Sequence, residues 1–133
     1  MSQNVPAGSR AARAEAFPRR MRIAARRDFV SAYEAGQKHG GRLVVVFARP
    51  RKGAGRLGIT ATRRVGSAVV RNRARRRVRE IYRRWRAARP LAAGLDVVVN
   101  VSTRAALAPY AAVREELLAL LDRAAAAAWP ERA

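Results

Sequence analysis

The residues with the clearest chemical potential are the arginines between Arg71 and Glu80, where the sequence reads R-N-R-A-R-R-R-V-R-E and six of ten residues are arginine. The guanidinium group is planar, stays charged at physiological pH and binds phosphate through paired hydrogen bonds. Because like charges at helical spacing repel each other, this density of arginine is costly without an anionic partner. The run therefore predicts binding to a polyanion, with nucleic acid as the nearest candidate. The alternative is a solvated helix face, although such faces ordinarily mix charges of both signs.

The charge of the whole chain supports the same interpretation. The 133 residues include 29 Lys or Arg and 9 Asp or Glu, which gives a formal net charge of +20. The charge is also uneven, since no acidic residue occurs between Glu34 and Glu80 although that stretch holds 14 Lys or Arg. Such a balance favours a phosphate-bearing partner or another anionic surface.

Catalysis by the chain itself has little support in the sequence. The chain has no cysteine, which excludes a disulfide framework or a thiolate metal site, and His39 is its single histidine. The carboxylates are scattered, and none forms a close pair beside the basic run. We therefore expect no catalytic or metal-ligating residue and no cofactor bound by the protein alone.

Length and hydropathy predict one α/β domain, at residues 17–128, because a chain of this size can bury one core. Residues 1–16 lack periodicity and are expected to form a disordered basic tail, and residues 129–133 a C-terminal tail. No apolar run approaches the roughly 18 residues of a membrane span. The N-terminus lacks the apolar segment of a secretory signal. We therefore expect no membrane partner and a cytoplasmic location.

The basic run opens a helix that must also pack against a core. Gly66 and Ser67 break the preceding strand, and Ser67 is expected to be the N-cap. Arg71 falls on the apolar side of the helical wheel and is expected to reach over the edge of the core from the first turn. The helix is predicted to expose arginine on most of its surface and to bury one face, formed by Val70, Ala74, Val78, Ile81, Tyr82 and Trp85.

The other predicted elements are strands and helices in mixed order. A short helix is predicted from Arg26 to Ala35, apolar strands at Leu43 to Ala48 and Leu95 to Val101, and an alternating strand at Arg56 to Arg63. A last helix is predicted from Pro109 to the end of the alanine run. This order predicts an α/β (α+β) two-layer sandwich, in which helices cover one face of a small mixed sheet. The polar face of the alternating strand would then remain open.

Aromatic residues near this sheet offer a second kind of nucleic-acid contact. Phe29 and Tyr33 lie four residues apart on one face of the short helix, and Phe47 lies near the end of an apolar strand. Single strands are commonly held by aromatic platforms beside a basic groove. The same three residues could instead belong to the core, and Arg63 and Arg64 could form an ordinary charged turn.

The segment from Arg56 to Glu80 resembles the protein subunit of bacterial ribonuclease P; it reads R-L-G-I-T-A-T-R-R-V-G-S-A-V-V-R-N-R-A-R-R-R-V-R-E. The family's signature is a strand ending in a basic pair, then V-G-x-A-V-x-R-N-R, then a basic helix ending near R-E. All three parts occur here in order. The likeness covers about residues 17–127, through Phe17 to Ile23, Asp28-Phe29 with Tyr33 and Gly36, and Asp96-Val97-Val98-Val99.

The resemblance implies a function and a fold. In that family a large RNA is the catalyst; it removes the 5′ leader from precursor tRNA and holds the Mg²⁺ that the reaction needs. The protein binds this catalytic RNA and holds the single-stranded leader in a cleft between the first helix and the sheet. Catalytic RNA and precursor tRNA are thus the implied partners of a single RNA-binding α/β domain. The implied fold is a sandwich with a left-handed βαβ crossover, against the usual right-handed rule.

The resemblance also assigns roles to individual residues. The RNA-contacting motif would be Arg71, Asn72 and Arg73, extended along the helix by Arg75, Arg76 and Arg79, and preceded by the basic pair Arg63 and Arg64. The leader-binding cleft would contain Phe29, Tyr33 and Phe47. Asn100 departs from the family pattern, because it interrupts a strand where an apolar residue is commoner.

Two other functions are compatible with parts of the sequence. A structural RNA-binding protein, such as a ribosomal one, fits the composition and the small α/β architecture, and only the R-N-R context argues against it. An autonomous nuclease would be supported by a carboxylate cluster or a second histidine, and the sequence has neither.

Overall fold

The structure is a computed structural model that describes residues 19–89 and 94–129. Within these residues it contains the helices α1 (Arg26–Ala35), α2 (Ala68–Ala87) and α3 (Tyr110–Ala128). Its strands are β1 (Gln37–Gly40), β2 (Val44–Pro50), β3 (Leu57–Thr60) and β4 (Leu95–Val101). The predicted basic tail at residues 1–16 lies outside the described residues, as do residues 130–133 of the predicted C-terminal tail.

The four strands form one sheet in the order β1-β2-β4-β3. β2 pairs antiparallel with β1 and with β4, whereas β3 runs parallel to β4. A parallel pair needs a crossover connection, and α2 provides it. The predicted α/β fold, a small mixed sheet covered by helices, is confirmed. The left-handed sense of the βαβ crossover stays a prediction of the resemblance.

The larger core lies between one face of the sheet and the helices α2 and α3. α2 buries the predicted face, through Ala74, Val78, Ile81, Tyr82 and Trp85, and α3 adds Val113, Leu117, Leu120, Leu121 and Ala124. Val97 and Val99 of β4 face this core while Val98 faces away, because successive side chains of a strand alternate. Since burial of each large apolar side chain contributes roughly 1.5–3 kcal/mol, this layer is the main source of stability.

α1 lies on the opposite face of the sheet, contrary to the expectation that the helices would share one face. It contributes to a second, smaller core formed by Ile23, Ala32 and Val98, with Phe29 and Phe47 packed against them. Gly58 makes room for this contact, because a Cβ there would lie 2.8 Å from the Phe29 ring. The alternation of β3 is as predicted, but α1 covers part of the polar face that was expected to remain open.

A buried ion-pair network fixes α1 to the sheet. Asp96 of β4 is buried, and its carboxylate accepts hydrogen bonds from the Arg56 guanidinium at 2.8 and 3.3 Å and from the Arg56 backbone N–H at 3.1 Å. The same guanidinium donates to Asp28 of α1 at 3.2 Å. The hydrogen bond to Asp96 is the main reason that the pKa of Arg56 is raised. One guanidinium thus joins α1, the start of β3 and β4.

The sequence pattern does not predict β1. Its residues Q-K-H-G are polar and mostly exposed, which suits an edge strand. The turn that joins β1 to β2 is held from outside by Glu116 of α3, whose carboxylate accepts the backbone N–H groups of Arg42, Leu43 and Val44 at 2.9, 2.7 and 2.9 Å. The hairpin therefore depends on a residue 72 to 74 positions further along the chain.

His39 gives the fold a pH dependence near neutrality. It lies on β1 opposite Val46, and its Nε2 atom is buried without a hydrogen-bond partner among the described residues. Burial, and after it repulsion from Arg123, lowers the pKa of His39. The folded state therefore favours the neutral ring, so stability falls as the pH drops through the unfolded pKa of about 6.5.

We expect the free energy of unfolding to decrease from about pH 8 to about pH 5.5, with most of the slope attributable to His39. The measurement is urea unfolding of the wild type and of His39→Gln at several pH values. The variant should show a nearly flat profile in this interval, because His39 is the only histidine of the chain. An unchanged slope in the variant would contradict this assignment.

Candidate nucleic-acid interface

The turn between β3 and α2 presents two exposed arginines, Arg63 and Arg64, in a 3-10 turn whose third residue is buried. Gly66 follows with a φ of 147°, a backbone conformation that disfavours any side chain. α2 then begins at the predicted N-cap, where the Ser67 hydroxyl accepts the N–H of Val70 at 3.3 Å. The predicted basic pair therefore leads directly into the first turn of the basic helix.

Some arginines of α2 are held by contacts within the protein. Arg77 donates to the backbone oxygen of Ala108 at 2.8 Å, and its guanidinium lies 5.9 Å from the centre of the Tyr110 ring. Arg86 donates to the backbone oxygen of Gly55 at 2.8 Å. These two side chains therefore tie α2 to the start of α3 and to the loop before β3.

Glu80 holds two further arginines of α2. Its carboxylate lies 2.9 Å from Arg83 and 2.7 Å from Arg84. The hydrogen bonds from Arg83 and then Arg84 lower the pKa of Glu80, so it stays ionised at neutral pH. We refer to the four arginines of α2 that make short contacts inside the protein as the internally paired arginines: Arg77, Arg83, Arg84 and Arg86.

None of the predicted RNA-contacting residues belongs to that set. Arg73 and Arg76 are exposed, and neither has a partner within residues 19–89 and 94–129. Arg71 is half-buried, as its wheel position predicts, and its Nε is enclosed without a hydrogen-bond partner in the described part of the chain. Arg75 makes a long contact of 3.4 Å to the exposed Asn72. The side chains most available to an external phosphate are therefore Arg63, Arg64, Arg73 and Arg76.

A small basic cavity lies beside the edge strand β3. It has a volume of about 110 Å³, and its lining contains three arginines and no carboxylate: Arg22, Ile23, Phe29, Leu57, Ile59, Arg75 and Arg79. Burial, and then repulsion from Arg22 and Arg75, lowers the pKa of Arg79. An anion placed among the three guanidinium groups would relieve this repulsion. Arg75 and Arg79 were predicted from the sequence as RNA-contacting residues, but Arg22 was not. The available signal for Arg22 was its position directly before Ile23, in the segment that resembles the start of the family's domain.

The three predicted cleft aromatics come together on the α1 face of the sheet, and we call this group the aromatic cleft: Phe29, Tyr33 and Phe47. The Tyr33 and Phe47 rings meet edge to face, with centroids 4.9 Å apart and an interplanar angle of 81°. Phe29 and Phe47 are half-buried against the smaller core, whereas Tyr33 is 36% exposed. The structure therefore favours a core role for Phe29 and Phe47, whereas Tyr33 has the ring most accessible for stacking on a base.

Two polar residues that sequence reasoning did not assign to the site hold Tyr33 in place. Its hydroxyl lies 2.9 Å from the Thr60 hydroxyl and donates to the Asn100 side-chain oxygen at 2.9 Å. Thr60 was visible as part of the polar face of its strand, and Asn100 as a departure from the family pattern. No sequence pattern indicated that both would meet Tyr33, because the three residues come from three elements.

The described site combines exposed arginines with a group of aromatic rings. In residues 19–89 and 94–129 no group of three or more His, Asp or Glu side chains is placed to hold a metal ion. The carboxylates of Asp28 and Asp96 are both bonded to Arg56. None of the described helices is both long and apolar enough to cross a membrane.

Comparison with known proteins adds independent information. The family model described as Ribonuclease P matches residues 17–125. The ribonuclease P protein component of Desulfovibrio desulfuricans is 40% identical over 112 residues, which cover 82% of this chain and 86% of that protein. The component from Thermotoga maritima is 38% identical over 114 residues, which cover 82% of this chain and 96% of that protein.

Solved structures give the same result. The RNase P protein from Thermotoga maritima superposes with a TM-score of 0.68 at 36% identity, covering 77% of this chain and 96% of that one. The RNase P protein of Staphylococcus aureus gives a TM-score of 0.69 at 26% identity, covering 78% and 94%. The family model, the relatives and the fold therefore agree, and the chain belongs to the ribonuclease P protein family.

Proposed function

We propose that this protein binds the catalytic RNA of ribonuclease P and the 5′ leader of precursor tRNA at the same time, acting in the cytoplasm. In this proposal the exposed arginines at and before the start of α2 contact the catalytic RNA, and the aromatic cleft holds the single-stranded leader. Cleavage of the phosphodiester bond is left to the RNA and its Mg²⁺, and the protein needs no cofactor of its own. The proposal accords with an interface rich in phosphate-binding groups and poor in catalytic ones.

The observation that carries the proposal is the position of the basic cavity. Its lining includes Phe29 of the aromatic cleft and also Arg75 and Arg79 of α2. A single strand that leaves the cleft along the edge of β3 would therefore meet guanidinium groups before it reaches the exposed face of α2. This path supports one continuous interface for the leader and the catalytic RNA.

The physical role of the protein would be to bring two polyanions together. Phosphate contacts displace bound counterions, so leader affinity should fall with salt at a log–log slope of roughly −0.7 for each phosphate neutralised on a single strand. The net charge of +20 also attracts both RNAs over distances beyond direct contact.

Reconstitution tests the proposal directly. The full chain is mixed with a transcribed ribonuclease P RNA at low Mg²⁺, and cleavage of precursor tRNA is followed. We expect a large increase in kcat/KM over the RNA alone. An absence of stimulation would favour a structural RNA-binding role instead, and cleavage by the protein without RNA would favour an autonomous nuclease.

A second prediction concerns Tyr33. Because stacking of one base contributes roughly 1–3 kcal/mol, Tyr33→Ala should weaken binding of a leader-bearing precursor by about 5- to 100-fold in the reconstituted holoenzyme. Binding of a leaderless precursor should be unchanged. The matched control is Tyr110→Ala, since Tyr110 is 37% exposed, close to the 36% of Tyr33, but lies at the start of α3 on the other side of the sheet. Equal losses with both precursors would show that Tyr33 does not contact the leader.

A further inference from the structure

The register of the sheet places three residues in one row beside the aromatic cleft. Asn100 of β4 lies opposite Val45 of β2 and opposite Thr60 of β3. The next row, Phe47, Val98 and Gly58, is the one that α1 covers. All three residues of the Asn100 row are half-buried, so this row is the first part of the α1 face that is open to a ligand.

The structure places Oδ1 of the Asn100 amide toward the Tyr33 hydroxyl. A phenol hydroxyl has one hydrogen, and Tyr33 donates it to Oδ1 of Asn100 at 2.9 Å. The Thr60 hydroxyl, 2.9 Å from the same oxygen of Tyr33, must then be the donor in its own bond. The bonds therefore run from Thr60 to Tyr33 to Asn100, and the amide is held with its oxygen toward Tyr33.

In this orientation Tyr33 does not use the NH₂ group of Asn100, which can therefore donate hydrogen bonds to a ligand. Its Nδ2 atom has no hydrogen-bond partner among residues 19–89 and 94–129. It is not one of the buried atoms without a partner, so it is accessible to solvent. Its two N–H donors are therefore accessible to a ligand near the exposed ring of Tyr33. A side-chain amide with N–H donors and a remaining acceptor lone pair complements the edge of a nucleobase.

We infer that Asn100 determines base specificity: its Nδ2 donates to a ring nitrogen or keto oxygen on the edge of one leader nucleotide, while Thr60 and Tyr33 act as positioning residues. The inference rests on the proposed function and goes beyond it, since it assigns contact with a leader base to one named side chain. The consequence is a preference for particular bases at one leader position.

The experiment measures discrimination, which a merely structural role would not change. Reconstituted holoenzymes are compared on precursors that carry each of the four bases at each leader position in turn. We expect one position at which the wild type prefers its best base over its worst by roughly five-fold or more. Asn100→Val keeps a strand-forming side chain but removes the donor, and it should reduce this ratio to about one.

Two further variants separate donation from packing. Asn100→Asp keeps the shape and can still accept the Tyr33 hydrogen bond, but it lacks both N–H donors, so it too should lose the preference. Tyr33→Phe keeps the ring but frees the amide to turn over, and it should lower the ratio less than Asn100→Val does. Arg64→Gln is the comparison variant, since it should weaken binding of the catalytic RNA and leave the ratio between leaders intact.

The outcomes distinguish this inference from the proposed function. If the wild type stimulates cleavage but shows no base preference, or if Asn100→Val keeps the preference, the inference is wrong while the proposed function stands. If the wild type neither stimulates cleavage nor binds leader, both are wrong. Urea unfolding of each variant shows whether any loss of discrimination reflects loss of folded protein.

Discussion

Asp96→Ala should lower the free energy of unfolding by about 3–5 kcal/mol, the range found when one partner of a buried ion pair is removed. The Asp96 side chain is 3% exposed and that of Arg56 is 16% exposed, so neither charge is well solvated. Removal of the carboxylate takes away three of the four hydrogen bonds that Arg56 makes in this network, including the one from its backbone N–H. The guanidinium is then left largely enclosed beside Asp28 alone.

Asp28→Ala is the matched control for this prediction. It removes a carboxylate from the same network, but the side chain is 23% exposed and makes one contact with Arg56, at 3.2 Å. We expect a loss of about 1 kcal/mol, near the upper end for exposed pairs. Urea unfolding of both variants provides the comparison. Equal losses of unfolding free energy would show that Asp96 contributes no more to this network than Asp28 does.

The second large effect concerns affinity for the catalytic RNA. Arg73→Gln and Arg76→Gln together should weaken binding by about 150-fold or more, since each charge-assisted hydrogen bond contributes roughly 1.5–3 kcal/mol. Both side chains are exposed and have no partner in the described residues. The salt dependence of log Kd should also become shallower, by roughly 0.7–0.9 for each phosphate that the variant no longer neutralises.

A double variant of the same helix controls for charge alone. Arg83→Gln with Arg84→Gln removes the same number of positive charges from α2, but these two arginines are paired with Glu80. We expect only a few-fold weakening, from the reduced long-range attraction. Titration of labelled RNA at several salt concentrations measures both quantities. If the two double variants weaken binding equally, α2 acts only through its overall charge and makes no specific contacts.

The features predictable from sequence are those set by neighbours along the chain. The helical repeat from Val70 to Trp85 identified the buried face of α2, and Ser67 identified its start, because both signals lie within a few residues of what they determine. β4 was predictable from its consecutive valines. β1 was not, because a polar edge strand has no periodic signal and its turn is held by Glu116 of α3.

The features that escaped prediction depend on contacts between distant residues. α1 is held on the sheet through Arg56, which bonds Asp28 of α1, 28 positions away, and Asp96 of β4, 40 positions away. The division of the arginines into paired and available ones depends on backbone oxygens of Gly55 and Ala108, which no helical wheel includes. The cleft aromatics were identified through the family resemblance. The hydrogen bonds of Tyr33 to Thr60 and Asn100 join three different elements, so the sequence pattern did not predict them.

The Glu116 contact also imposes an order on folding during synthesis. The ribosome releases the chain from its N-terminus, so residues 37–50 emerge well before α3 does. The acceptor for three of the hairpin's N–H groups, and one of the two helices over the larger core, are still missing at that stage. The nascent chain therefore exposes the arginines of α2 before its fold can close, and the last helix to be translated completes the first hairpin.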